Sequence, residues 1–254
     1  MQIELNYKEF GQGEPVIILH GMFGMLDNWQ TIARQLSEKY LVYAIDQRNH
    51  GRSPHTDGID YQLLAEDLKA FMESHWIYKA RIIGHSMGGK AAMEFAVNNP
   101  DMVEKLVVID IAPKTYGGSH ELIIDTLRSI DLEKLTDRKD AESQIAEKIE
   151  DAGTRQFLLK NLTRNEETLA FEWKMNLANI YANYEKILGT ISDGKFEGET
   201  LFVRGAKSDY ILEEDEKLIH DFFPNADIKT IENAGHWVHA EQPKILLEMI
   251  LAFL

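Results

Sequence analysis

The chain has 254 residues, 44% of them hydrophobic, and a formal net charge of −15. That length allows one large α/β domain or a core interrupted by an insertion, with enough apolar content for a sizeable core. The negative balance disfavours nucleic acid and anionic lipid as partners, and the absence of cysteine excludes disulfides, thiolate metal sites and a cysteine nucleophile.

Met1-Gln2-Ile3-Glu4-Leu5 has no basic region followed by an apolar run, and no stretch offers about 18 consecutive apolar residues. The expectation is a cytoplasmic protein with neither signal peptide nor membrane helix. Val16-Ile17-Ile18-Leu19, Leu41-Val42-Tyr43-Ala44-Ile45, Ala80-Arg81-Ile82-Ile83 and Leu106-Val107-Val108-Ile109 are short, nearly continuous apolar runs. They read as strands buried on both faces. Between them, helical spacing predicts helices at about Asp27 to Glu38, Tyr61 to Ser74 and Met87 to Asn98, the last stopped by Pro100.

After Pro113 the texture changes, and the chain to about Gly194 is charged and helix-prone with no strand signal. Strand signals resume at Thr200-Leu201-Phe202-Val203 and Ile228-Lys229-Thr230-Ile231, and Pro243 to Leu254 reads as a closing helix. The fold class is therefore α/β, a mostly parallel twisted sheet flanked by helices. Its core comprises residues 1–113 and 198–254, interrupted by an all-helical insertion at 114–197. Charge runs in the insertion, such as Asp137-Arg138-Lys139-Asp140, read as solvated helix faces. Its aromatics, including Phe157, Phe171, Trp173, Tyr181 and Tyr184, read as packing residues.

Gly84-His85-Ser86-Met87-Gly88-Gly89 lies between a strand and a helix, the context that gives G-x-S-x-G its meaning. A sharp strand-to-helix turn strains the backbone at the serine, and glycines two positions away on each side remove clashing side chains. Ser86 is thereby the candidate nucleophile at the carboxyl edge of the sheet. An oxyanion hole needs fixed backbone donors. The Met87 amide, directly after the nucleophile, is one. The His20-Gly21-Met22-Phe23-Gly24 loop supplies the other, with Met22 favoured and Phe23 the competing choice. His20 reads as a brace of this loop beside the substrate rather than as a base.

Triads on this fold run Ser, acid, His in chain order, so His236 in Ala234-Gly235-His236-Trp237 is the candidate base. Trp237, Phe23 and His20 are expected beside the substrate. His239 reads as a surface residue, and His50, His55, His75, His120 and His220 have no comparable placement. The acid has two candidates. Asp209 follows the strand that resumes the core, and Asp110 ends the strand after the nucleophile helix; either could orient the imidazole. Asp46-Gln47-Arg48-Asn49-His50-Gly51-Arg52-Ser53 reads as a polar scaffold loop. With no phosphate-binding glycine loop and no H-E-x-x-H, no cofactor and no metal are expected.

Together, His20-Gly21-Met22-Phe23-Gly24, Asp46 to Gly51, Gly84 to Lys90, Asp110-Ile111-Ala112-Pro113 and Gly235-His236-Trp237-Val238-His239 carry a resemblance. The chain resembles the small bacterial carboxylesterases of the α/β-hydrolase superfamily, which are related to mitochondrial abhydrolase-domain proteins. That resemblance implies hydrolysis of short to medium acyl esters, small-molecule substrates, beneath a helical cap. In the nearest relatives the Asp-Ile-Ala-Pro aspartate serves the triad, whereas the wider superfamily places the acid in the Asp209 loop. Both residues are present, and the commoner pattern favours Asp209. Carbon–carbon bond hydrolysis, thioester hydrolysis and lyase chemistry share such sites, and a non-catalytic binding protein is the alternative from another class.

Overall fold

The computed structural model describes residues 3–118 and 120–254. The first part of the core runs β1 (Tyr7–Phe10), β2 (Pro15–Leu19), α1 (Gln30–Leu36), β3 (Leu41–Ile45), α2 (Tyr61–Ser74), β4 (Ala80–His85), α3 (Met87–Asn98) and β5 (Val103–Ile109). Then come α4 (Glu121–Ser129), α5 (Arg138–Ala146), α6 (Ala152–Leu159), β6 (Leu162–Arg164), β7 (Phe171–Trp173), α7 (Leu177–Ala182) and α8 (Tyr184–Leu188). The core resumes with β8 (Thr200–Gly205), α9 (Glu216–Phe222), β9 (Ala226–Ile231), α10 (Val238–Glu241) and α11 (Pro243–Phe253).

Seven strands form one sheet in the order β1-β3-β2-β4-β5-β8-β9. Only β1 is antiparallel to its neighbour. The chain passes from β2 to β3 on one side and then to β4 on the other. The carboxyl ends of β2 and β4 therefore flank the crevice where such sheets bind ligands.

Alternate residues of each strand serve opposite faces. Val16, Ile18, Val42, Ile83, Val107 and Val203 pack with Ile32 and Leu36 of α1 and Leu246 and Ile250 of α11. Ile17, Leu19, Ile45, Ile82, Leu106 and Val108 face the other way, toward Leu68, Phe71 and Met72 of α2 and the buried length of α3. Truncating a fully covered leucine such as Leu68 costs about 2–5 kcal/mol. Asp60 caps α2 by accepting the Leu63 amide at 2.9 Å.

The insertion is not wholly helical. β6 and β7 pair as a short antiparallel hairpin, Leu162 opposite Trp173 and Arg164 opposite Phe171. Three residues per strand are too few to establish an alternation that composition would reveal. Among the described residues, no helix is long and apolar enough to cross a membrane.

Candidate active site

Ser86 occupies the junction of β4 and α3 with φ 52° and ψ −120°, backbone angles costly for any residue with a Cβ. Its amide donates to Ile109 O at 3.0 Å, and its carbonyl accepts the Lys90 amide at 3.0 Å. A Cβ on Gly84 would lie 2.2 Å from Gly88 O, and one on Gly88 would lie 2.4 Å from Leu19 O. The start of α3 therefore lies closer to β4 and to the end of β2 than side chains at these two positions permit. This contact holds the serine up at the sheet edge, where the first amides of α3 point.

The β9–α10 loop brings His236 over the serine, with Nε2 2.9 Å from Ser86 Oγ. Nδ1 lies 2.8 Å from Asp110 Oδ2. When Asp110 is ionised its carboxylate only accepts, so Nδ1 then carries the proton and Nε2 accepts the Ser86 hydroxyl. The acid beside the imidazole is thus Asp110 and not Asp209, the candidate that the commoner pattern favours. Asp110 directly follows β5 with φ 51°, which turns its carboxylate across the end of β8. There Oδ1 accepts the Gly205 amide at 2.9 Å, and Oδ2 accepts the Ser208 hydroxyl. Asp209 is exposed and reaches His236 only as a through-space charge. Its loop contributes Ser208 and Tyr210 instead, the Tyr210 ring stacking on His236 at 3.8 Å and 18°.

Burial pushes the Asp110 carboxyl up, to about 7, against the lowering effect of the Ser208 and Gly205 donors. Burial also drives His236 below its ordinary value, so the resting imidazole is neutral and able to accept a proton. His85 is a contributor that residue patterns do not single out. Its Nε2–H donates to the His236 carbonyl at 2.8 Å, bracing the loop that carries the imidazole.

Among the described residues, neither the Met22 nor the Met87 amide has an acceptor. The Phe23 amide is already committed, donating to His50 Nε2 at 3.2 Å. His20 lines the cleft with both ring nitrogens engaged. Nδ1–H donates to Gly21 O at 2.8 Å, and Nε2 accepts the Gln47 amide at 3.0 Å. The polar loop after β3 has the scaffold part expected of it. Asp46 accepts the Leu26 and Arg52 amides at 2.7 and 2.9 Å, and Arg48 forks onto buried Asp67 at 2.6 and 2.7 Å.

Two lobes meet at Ser86. One, about 440 Å³ counted out to its mouth, is walled by His236, Trp237, Phe157, Phe23 and His239 among others. The second, about 340 Å³ counted in the same way, is walled by Met87, Ile111, Ile187, Leu188, Tyr116 and Lys90 among others. Residues between β5 and β8 supply part of both walls. Two expectations change here. His239 is buried and stacks on Trp29 at 4.6 Å, and Phe157 faces the cleft 5.8 Å from Trp237. His120 is not placed as a base but lines both lobes.

A strained serine, an imidazole and a carboxylate in series at the switch point of a parallel sheet agree with the family comparison. The chain belongs to the alpha/beta hydrolase fold family, whose model matches residues 14–243. It is 38% identical over 264 residues to the zebrafish (Danio rerio) sn-1-specific diacylglycerol lipase ABHD11, covering 99% of this chain and 83% of that protein. To esterase YbfF of Escherichia coli it is 34% identical over 241 residues, covering 94% of this chain and 92% of the relative. A solved marine microorganism esterase superposes with a TM-score of 0.97 at 45% identity, covering both chains completely.

Proposed function

We propose that the protein is a serine carboxylesterase that hydrolyses short to medium acyl esters through an acyl-enzyme intermediate. The observation carrying this reading is the hydrogen-bonded series Asp110–His236–Ser86, at 2.8 and 2.9 Å, on a serine held at φ 52°. The esterase and lipase names of the relatives agree with it.

In this mechanism His236 Nε2 takes the Ser86 proton as Oγ attacks the ester carbonyl. The carbonyl oxygen becomes negative between the Met87 and Met22 amides, neither of which has an acceptor among the described residues. Asp110 holds the Nδ1 proton and stabilises the imidazolium. The tetrahedral species collapses as His236 gives its proton to the leaving alcohol. Water then enters and its oxygen attacks the acyl carbon as His236 takes its proton. The second tetrahedral species collapses, breaking the acyl–Ser86 bond, as His236 returns the proton to Ser86 Oγ and the acid is released.

The leaving group must lie where His236 can protonate it, which assigns the alcohol to the lobe walled by His236 and Trp237. The acyl chain then takes the lobe under Met87, Ile111, Ile187 and Leu188. Segment 114–197 serves as the cap over both.

The test is turnover of p-nitrophenyl esters of graded acyl length by wild type and Ser86→Ala, with fluorophosphonate labelling read by peptide mass. Wild type should turn over short to medium esters and carry the label on Ser86. Ser86→Ala should lose activity by about 10⁴-fold or more. Wild type that neither turns over an ester nor labels at Ser86 sinks the reading.

A further inference from the structure

Lys90 is buried one helical turn beyond Ser86 on α3, and the mechanism above does not use it. Its Nζ donates to Lys114 O at 2.6 Å, to Leu188 O at 3.2 Å and to Gly189 O at 2.5 Å. An ammonium has three donors, and all three are spent on main-chain carbonyls. The charge has no carboxylate partner among the described residues and lies instead over the Tyr116 and Tyr61 rings at 4.6 and 5.3 Å. The nearby cation, Lys114, is paired with Asp215 at 2.6 Å. Burying an ammonium is costly unless its donors are met, and a methionine or leucine would fill the same space without that cost.

The three carbonyls come from the two places where the insertion joins the core. Lys114 lies where the chain leaves β5 for the insertion. Leu188 and Gly189 lie where α8 ends on the return. The two passes are also bonded to each other, Tyr116 N to Leu188 O at 2.9 Å and Thr190 Oγ1 to Pro113 O at 2.9 Å. The Tyr61 hydroxyl donates to Ile187 O. Tyr116, Ile187 and Leu188 are walls of the lobe assigned above to the acyl chain, and Lys90 lines it too.

We infer that Lys90 is a specificity-determining positioning residue, pinning both ends of the insertion to the nucleophile helix and so setting the depth of the acyl lobe. This rests on the esterase reading. Lys90 touches no reacting atom; it acts through the carbonyls it holds. A second anchor lies one turn further along α3, where Glu94 accepts the Ser192 amide and hydroxyl at 2.6 Å each. Glu94 and Ser192 do not line the lobe, so the two anchors separate selection from support. Burial and the charge of Lys114 pull the Lys90 pKa down to about 7, so the three-donor form prevails below that pH.

The test compares p-nitrophenyl acetate, butyrate, hexanoate and octanoate at about pH 6.5, just below that pKa. Lys90→Met keeps the stem and removes the donors. It should raise the octanoate-to-butyrate ratio of kcat/KM by about tenfold, the scale on which a pocket distinguishes methylenes. The change should come through KM on the longer esters rather than through kcat. Tyr61→Phe, which removes only the hydroxyl on Ile187, should move the ratio the same way by less. Glu94→Gln should lower Tm and leave the ratio alone. An unchanged ratio in both Lys90→Met and Tyr61→Phe overturns the inference while leaving the esterase standing. A parallel loss on all four esters in Lys90→Met that leaves the ratio alone, with a lower Tm as in Glu94→Gln, also overturns it, because it makes Lys90 merely structural. Wild type inert on all four esters removes the esterase reading itself.

Discussion

Asp110 and His236 stand 126 positions apart in the chain and 2.8 Å apart at Oδ2 and Nδ1. What joins them is the left-handed turn at Asp110, φ 51°, which lays the carboxylate over the Gly205 amide and the Ser208 hydroxyl. Asp110→Asn keeps the shape but presents an amide where the imidazole needs an acceptor for its Nδ1 proton. It should lower kcat by about 10³–10⁴-fold with little effect on KM. Asp209→Asn, at an exposed side chain, should stay within about threefold of wild type, the scale of losing one distant surface charge. Steady-state kinetics on one short p-nitrophenyl ester ranks the two, and a larger loss in Asp209→Asn would return the triad to the later loop.

Acid should unfold the protein earlier than its carboxylates alone would require. Burial lowers His20 and His120 to about 4 and His50 and His85 to about 3. An unfolded histidine titrates near 6.5. Between those values the unfolded chain binds protons that the folded one refuses. Their stabilising contribution is therefore present above pH 6.5 and lost as pH falls toward 4. Each histidine removes about 1.4 kcal/mol per pH unit across that window. His236 and His239 are lowered by burial as well, while Asp67 and Asp110 are raised by burial and act in the opposite sense, two groups against six. Lys90, lowered to about 7, acts above that pH in the same sense, so Tm by calorimetry should fall steeply below about pH 6.5 and rise gently from about pH 7 to 8.5. A Tm unchanged from about pH 7 to 5 would show that these rings take up protons without unfolding.

Much of this frame is legible in the residues because burial on both faces forces near-continuous apolar runs. The strands that bear Ser86 and the His20-Gly21 loop, and the helices α2 and α3, stand where those runs and the helical spacing put them. β1 is not legible. Tyr7, Lys8 and Glu9 are exposed, and the strand exists only by pairing with β3 along the sheet edge. The acid is not legible for a different reason. Asp110 and Asp209 each follow a strand, and a single backbone dihedral at Asp110 decides between them. His85 carries no local signal either, since its partner is a carbonyl 151 positions away. Contacts of that span depend on the assembled sheet, and the pattern within one segment does not report them.

The loop proposed to carry the second oxyanion amide offers a sharper probe of how that amide is aimed. Phe23 is held at φ 60°, a conformation that costs a residue with a side chain about 1–3 kcal/mol and persists only when its surroundings enforce it. Three contacts enforce it here. Phe23 N donates to His50 Nε2 at 3.2 Å, Phe23 O accepts Asn161 Nδ2 at 2.8 Å, and Gly24 N closes a turn on Gly21 O at 2.9 Å. His50 is itself fixed, its Nδ1–H donating to Arg48 O at 3.0 Å. His50→Phe keeps a ring of similar bulk and removes both bonds. The Phe23 amide is then left without its acceptor, and the neighbouring Met22 amide is free to swing. That donor matters only as charge develops on the carbonyl oxygen, so kcat should fall by about 10–100-fold, less than outright loss of a donor, with KM nearly unchanged. Steady-state kinetics beside a thermal melt separates the outcomes. A lower Tm with kcat within about twofold of wild type would make His50 a brace for folding alone and leave the Met22 amide held by the remaining two contacts.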